Sequence, residues 1–146
     1  GCVYGYTEGS VETKKRGHRV FCSNRKLRQG CGRSFSALRS DLIRLLMVHA
    51  STIWMFLLNI KEKLPVIQSF RKTGTSLTET TAYRIYNRFK NAQSRIRTFL
   101  TGIKDPPVVN HCTDPVIQTI NHLKSLFPQS PCPVSEFQHC FQTPFF

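Results

Sequence analysis

The sequence predicts a mainly α fold in three parts: a small β-prone N-terminal module, a helical domain and an extended C-terminal tail. Three observations predict it. Residues 1–37 are rich in Gly, Thr, Ser and Arg, with short β-prone pieces such as CVYGY and HRVFC. Residues 38–104 carry apolar side chains at spacings of three and four, the period of a helix with one buried face. Residues 105–146 open on Asp105-Pro106-Pro107 and hold five further prolines, which interrupt regular structure.

Taken in chain order, residues 1–37 are too few to hold a core unaided, so they need a metal or a neighbouring domain. Ser40-Asp41 offers an N-cap, and a long helix is expected from there to about Lys63, with Leu42, Leu45, His49, Ile53, Phe56 and Ile60 on one stripe. The run Leu45 to Ile60 lacks Lys, Arg, Asp and Glu. It falls short of the roughly 20 residues that span a bilayer, so a buried helix is expected and no membrane partner. Leu64-Pro65 breaks that helix, because proline disfavours the helical region in its predecessor. Pro65 then suits the first turn of a short second helix. Gly74 permits a turn, and Ser76 or Thr78 can cap a third helix over about residues 77–100. Its seam of Ile85, Phe89, Ala92, Ile96 and Phe99 is apolar. Arg84, Arg88, Asn91 and Arg95 lie about 100° away around the axis. The tail is expected to hold one short amphipathic helix, VIQTINHLKSLF, and then to run extended.

Charge narrows the partner. With 21 Lys/Arg against 8 Asp/Glu the net charge is +13. Residues 1–40 carry +7, residues 41–104 carry +8, and the tail carries −2. Such an excess repels itself unless a polyanion neutralises it, so nucleic acid is the expected partner of the first two parts. Six cysteines could form three disulfides in a secreted protein, but no leader pattern opens the chain. With the basic composition this favours a reducing, cytoplasmic and nucleoid-associated setting.

Residues 65–100 match a helix-turn-helix unit, whose second helix would enter the major groove. Arg suits bidentate binding to guanine and Asn to adenine, so Tyr83, Arg84, Asn87, Arg88, Asn91 and Arg95 are the candidate readers. Ser76, Thr78 and Thr80 surround the helix start and can donate to phosphates. Around Cys22 and Cys31, the basic residues Arg25, Lys26, Arg28 and Arg33 supply further phosphate contacts. Basic neighbours favour thiolate, hence metal. Cys22 and Cys31 are further apart than a C-x2–4-C knuckle, yet Gly30 and Gly32 permit a sharp return that could bring them together; the spacing leaves two readings open, a pair of zinc ligands or two solvated thiols. Cys2 and His18 are alternative extra ligands. The C-terminal set His111, Cys112, His122, Cys132, His139 and Cys140 has ligand chemistry without knuckle spacing.

These residues carry a resemblance. GHRVFCSN and GCGRSFS resemble the second knuckle of the zinc ribbons at the N-termini of bacterial insertion-sequence transposases. GTSLTETTAYRIYNRFKNAQSRIRTFL resembles the homeodomain-like helix-turn-helix that follows such ribbons. The whole chain is similar to a bacterial group with the order ribbon, long helix, YR…RF…AQS.IRT.L helix and FQ..FQ.P tail, here Phe137-Gln138 and Phe141-Gln142-Thr143-Pro144. The resemblance implies an N-terminal zinc-ribbon-like module over 1–37 with Cys22 and Cys31 as ligands, and double-stranded DNA as partner. It also implies a C-x2-C knuckle upstream of Gly1, so the ribbon is expected to be incomplete and the chain N-terminally truncated.

Catalysis is not expected. Transposition chemistry needs three carboxylates around two Mg2+. None of Glu8, Glu12, Asp41, Glu62, Glu79, Asp105, Asp114 and Glu136 ends an apolar strand run, and no βαβ pattern frames them. Two functions stay open. One is a transposase-derived or transposase-accessory module for sequence-specific DNA recognition, acting as a homodimer or with a separate recombinase. The other is a protein–protein interaction domain, or a transcriptional regulator of unrelated origin.

Overall fold

A computed structural model describes residues 1–27, 29–108 and 111–146 of the chain. Among the described residues, the N-terminal third forms a three-stranded antiparallel sheet in the order β1 (Cys2–Gly5), β2 (Lys14–Phe21), β3 (Ser34–Leu38). Five helices follow: α1 (Ala50–Lys61), α2 (Val66–Arg71), α3 (Glu79–Thr101), α4 (Pro115–Leu126) and α5 (Pro133–Phe141). Helix accounts for about 43% of the chain, which with the sheet makes the architecture a mixture of α and β.

The sheet has almost no core of its own. Every residue of β3 is exposed, and Tyr4, Val20, Phe21 and Phe35 are all more than two-fifths accessible. It is held to the body by Arg16, whose guanidinium donates to the carbonyls of Tyr6 (3.2 Å), Ile43 (3.0 Å) and Leu46 (2.8 Å). Glu8 N–H donates to the Met47 carbonyl at 2.7 Å and adds a second attachment.

That attachment explains a departure from the expected long helix. Helix α1 starts at Ala50, and residues 41–49 form tight turns closed by a bridge between Leu42 and His49. In a helix the Ile43 and Leu46 carbonyls would bond within the helix; here Arg16 takes them instead. Asp41, the expected cap, is paired with Arg39. Leu45 takes a φ of +60° and is 76% exposed, whereas Leu42 and Leu46 are buried.

Further along, local signals set the elements as expected. Helix α1 buries Ala50, Ile53, Trp54, Phe56 and Leu57 and packs against α2, α4 and α5. Among the described residues no helix is long and apolar enough to cross a membrane. Pro65 is the N-cap of α2, and Gly74 takes a φ of +72° in the turn that leads to Thr78, the N-cap of α3. Ile85, Phe89 and Ile96 of the seam are fully buried, while Ala92 and Phe99 pack at its edge.

The C-terminal part holds two helices rather than one. Helix α5 begins with proline in its first turn, where the missing N–H costs nothing. Its Val134 and Phe137 are buried, and Phe145 beyond it is fully buried. One core cluster runs from Ile43 to Phe145, so these residues complete the helical body.

Candidate nucleic-acid interface

The apolar seam of α3 is committed to the core, and that fixes which side of the helix meets water. Thr80, Tyr83, Arg84, Asn87 and Asn91 are exposed, Arg88 is half-buried, and Ser76 and Thr78 are exposed at the helix start. Among the described residues, Arg84, Arg88, Asn87 and Asn91 make no side-chain hydrogen bond to the protein, so their donors face solvent. Thr78 Oγ1 lies 3.4 Å from Thr81 Oγ1 and leaves the first helical N–H groups without a side-chain cap. The N-terminal end of α3 therefore presents open donors and a partial positive charge, which favours an anion. Arg71 and Glu79 form an exposed ion pair across the turn that joins α2 to α3.

Arg95 is placed differently from the expectation. Its guanidinium donates to Thr143 Oγ1 (3.3 Å) and to the carbonyls of Pro144 (2.9 Å) and Phe145 (2.7 Å). Three bonds to the C-terminal segment make it a clasp within the protein, so the open row ends near Asn91.

The loop between β2 and β3 holds the cysteine pair. Cys22 N–H donates to the Arg33 carbonyl and Gly32 N–H to the Cys22 carbonyl, both at 2.9 Å. Cys31 N–H donates to Cys22 Sγ at 3.3 Å. Gly30 is required here, since a Cβ would lie 2.0 Å from the Ser23 carbonyl oxygen, and Gly32 takes a φ of +69°. The expected sharp return is present, and it brings the two thiols together. The Arg33 backbone N–H, followed by a hydrogen bond with Cys22, lowers the Cys31 thiol below its ordinary pKa, whereas burial raises that of Cys132. Iodoacetamide at neutral pH is therefore expected to label Cys31 well ahead of Cys132, as read by peptide mass spectrometry. Equal rates would mean that the loop lacks this fold.

Two donors do not make a structural zinc site, which takes four. Cys2 and His18 are opposite one another on β1 and β2, but His18 lies four residues before Cys22 along an extended strand, roughly 13 Å away. Among the described residues no group of three or more His, Cys, Asp or Glu is arranged to hold a metal. The C-terminal candidates are likewise scattered: His122 is buried and bonded to the Lys104 carbonyl, while His111, His139 and Cys140 are exposed. Among the described residues, Cys22 and Cys31 are thus two candidate ligands without a third beside them.

Arg25, Lys26 and Arg33 are exposed around this loop, and Arg28 lies outside the described residues. They do not sit beside α3. The end of the sheet that touches the α2–α3 turn is the Glu8 end. The cysteine loop lies at the opposite end of the eight-residue β2, roughly 26 Å away.

Other charged side chains that the fold brings together gave no local signal. Arg19, Arg39 and Arg44 line a groove between the sheet and the C-terminal segment. Glu8 reaches the α2–α3 turn, where its carboxylate accepts from Thr75 Oγ1. Only three-dimensional folding brings these groups together. Compared with protein-family models, curated proteins and solved structures, the chain matches none.

Proposed function

We propose that the protein is a DNA-recognition module in which α2, the glycine turn and α3 act as a helix-turn-helix and α3 enters the major groove of duplex DNA. One observation carries this reading: on a helix locked in orientation by its buried seam, the first four turns of α3 present exposed Thr80, Arg84, Asn87 and Asn91 and half-buried Arg88, and among the described residues Arg84, Asn87, Arg88 and Asn91 make no side-chain hydrogen bond to the protein. Arg and Asn are the side chains that bind guanine and adenine edges in bidentate fashion. The net charge of +13 supplies the attraction to phosphates. The reading includes a transposase-derived or transposase-accessory origin and recognition without catalysis. In its support, four of the eight carboxylates have structural work: Glu8 binds hydroxyls, Asp41 and Glu79 pair with arginines, and Asp114 caps α4. The interaction-domain alternative rests on the apolar helix and the Phe/Pro tail as docking surfaces. Both instead spend their largest side chains, Phe56, Leu57, Phe137 and Phe145, on the protein's own core.

Retention of random duplexes at about 50 mM salt, falling steeply as salt rises, is the expected result. Selection from that pool then yields a preferred site. On it, Arg84→Ala and Arg88→Ala are each expected to weaken binding by about 1–3 kcal/mol, with less effect on unrelated duplexes. A uniform loss on every sequence would make them phosphate contacts. Absence of retention at low salt would sink the reading.

A further inference from the structure

A second surface, distant in sequence from α3, has the chemistry of a nucleic-acid site of another kind. Between the sheet and the C-terminal segment lies an open groove of about 970 Å³. Its walls carry Arg16, Arg19, Arg39, Arg44 and His139, and among the described residues no Asp or Glu lines it. Arg39 is neutralised by Asp41. Among the described residues Arg16 is bonded only to carbonyls, and no acid pairs with its charge. Arg19 makes one long bond, 3.4 Å, to Ser34 Oγ, and Arg44 is exposed.

Aromatic surface accompanies this charge. Tyr4 lines the groove and is 63% exposed. The register of β2 and β3 pairs Gly17 with Leu38, Arg19 with Ser36 and Phe21 with Ser34. Alternation along a strand therefore places Leu38, Arg19 and Phe21 on one face, as an apolar, basic and aromatic row. Phe21 is 52% exposed. All three are exposed, and exposed aromatic and apolar side chains in contiguous array mark binding surfaces.

We propose that this groove, together with the strand face that continues from Arg19 to Phe21 beyond its lining, binds a single-stranded nucleic-acid segment, with phosphates held by Arg19 and Arg44 and bases stacked on Tyr4 in the groove and on Phe21 at its end. An unpaired strand offers what the groove asks for: negative charge along a flexible backbone and π faces free to stack, whatever the base. A duplex hides those faces, and an acidic peptide lacks them. The groove is at the upper limit of small-ligand pockets, and open and charged where those are enclosed and apolar. It suits a chain laid across the sheet. The site shares its partner class with the function proposed for α3 but uses none of the same residues.

Fluorescence anisotropy tests it, with labelled oligothymidylate and oligouridylate of about 15 nucleotides at about 50 mM salt. Both are expected to bind; tighter binding of one assigns the physiological strand as DNA or RNA. The double variant Arg19→Ala/Arg44→Ala and the double variant Tyr4→Ala/Phe21→Ala are each expected to weaken single-strand binding about tenfold or more. All four side chains are solvent-facing, so unchanged thermal unfolding verifies the fold. Arg84→Ala/Arg88→Ala is expected to leave single-strand binding intact while lowering duplex binding, which separates failure of this site from failure of the α3 reading. The proposal is overturned by no single-strand binding at low salt, or by insensitivity to the arginine pair. Equal competition by polyglutamate, with no effect of the aromatic pair, also overturns it and leaves a general anion surface.

Discussion

Phe145→Ala is expected to lower the unfolding free energy by about 3–5 kcal/mol, the usual cost of removing a fully buried phenyl ring. Phe145 is completely buried although only Phe146 follows it in the described residues. Its ring stacks on Phe89 of α3 at 5.9 Å and meets Phe137 of α5 edge-on at 5.5 Å. Its backbone is fixed as firmly: the N–H donates to Gln138 Oε1 at 3.0 Å and the carbonyl accepts from Arg95. The same Gln138 donates to the carbonyls of Ser40 and Leu42, so the segment joins α3, α5 and the turns before α1. With total stabilities near 5–15 kcal/mol, this loss consumes much of the margin. A urea titration should show a lower midpoint at unchanged slope. Phe146→Ala, at a half-buried site, is the control, expected to cost about 1 kcal/mol. A shift below about 1 kcal/mol for Phe145→Ala would mean that the C-terminal segment is not packed as described.

What could be read ahead of the structure was whatever depends on neighbours in sequence. The seam of α3 follows from its period, and the break before α2 follows from what Pro65 forbids at Leu64. The turn at Gly74 and the return at Gly32 follow from backbone angles that glycine tolerates. The exposure of Arg84 and Asn87 was legible for the same reason, since a helix of known phase has a known outer face. The errors all have partners far along the chain. Residues 41–49 look helical by period, but Arg16, nearly thirty residues earlier, binds their carbonyls. Arg95 continues the basic row, yet its partners lie almost fifty residues on. Helix α5 is short, and its stability comes from Phe137, Phe141 and Phe145 packing with Phe99 and Phe89 rather than from its own turns. The groove of the sheet is likewise a product of strand register and chain return, which periodicity does not encode.

Glu8→Ala is expected to cost about 2–3 kcal/mol and to weaken duplex binding as well, although it removes a negative charge from a protein that seeks a polyanion. Glu8 Oε1 accepts from the His49 N–H at 2.9 Å and from Thr52 Oγ1, and Oε2 accepts from Thr75 Oγ1. One carboxylate thus joins the β1–β2 turn, the start of α1 and the turn before α3. His49 is the N-cap of α1 and supplies no side-chain cap, so Glu8 provides the missing acceptor and the negative charge that a helix N-terminus favours. Truncation leaves a backbone donor and two hydroxyls without their acceptor; the hydroxyls can turn to water, which limits the loss. Two effects then oppose each other in DNA binding. Charge alone predicts tighter binding for the variant, because one repulsive group is gone. Position predicts weaker binding, because the turn that aims α3 has lost its tie. Glu8→Gln separates them: it keeps the oxygen that accepts from His49 and removes the charge, so it is expected to cost about 1 kcal/mol and to hold or slightly raise affinity. Weaker binding by Glu8→Ala alone, with its sign opposed to electrostatics, makes Glu8 a positioning residue for α3. Tighter binding by both variants would reduce it to a surface charge.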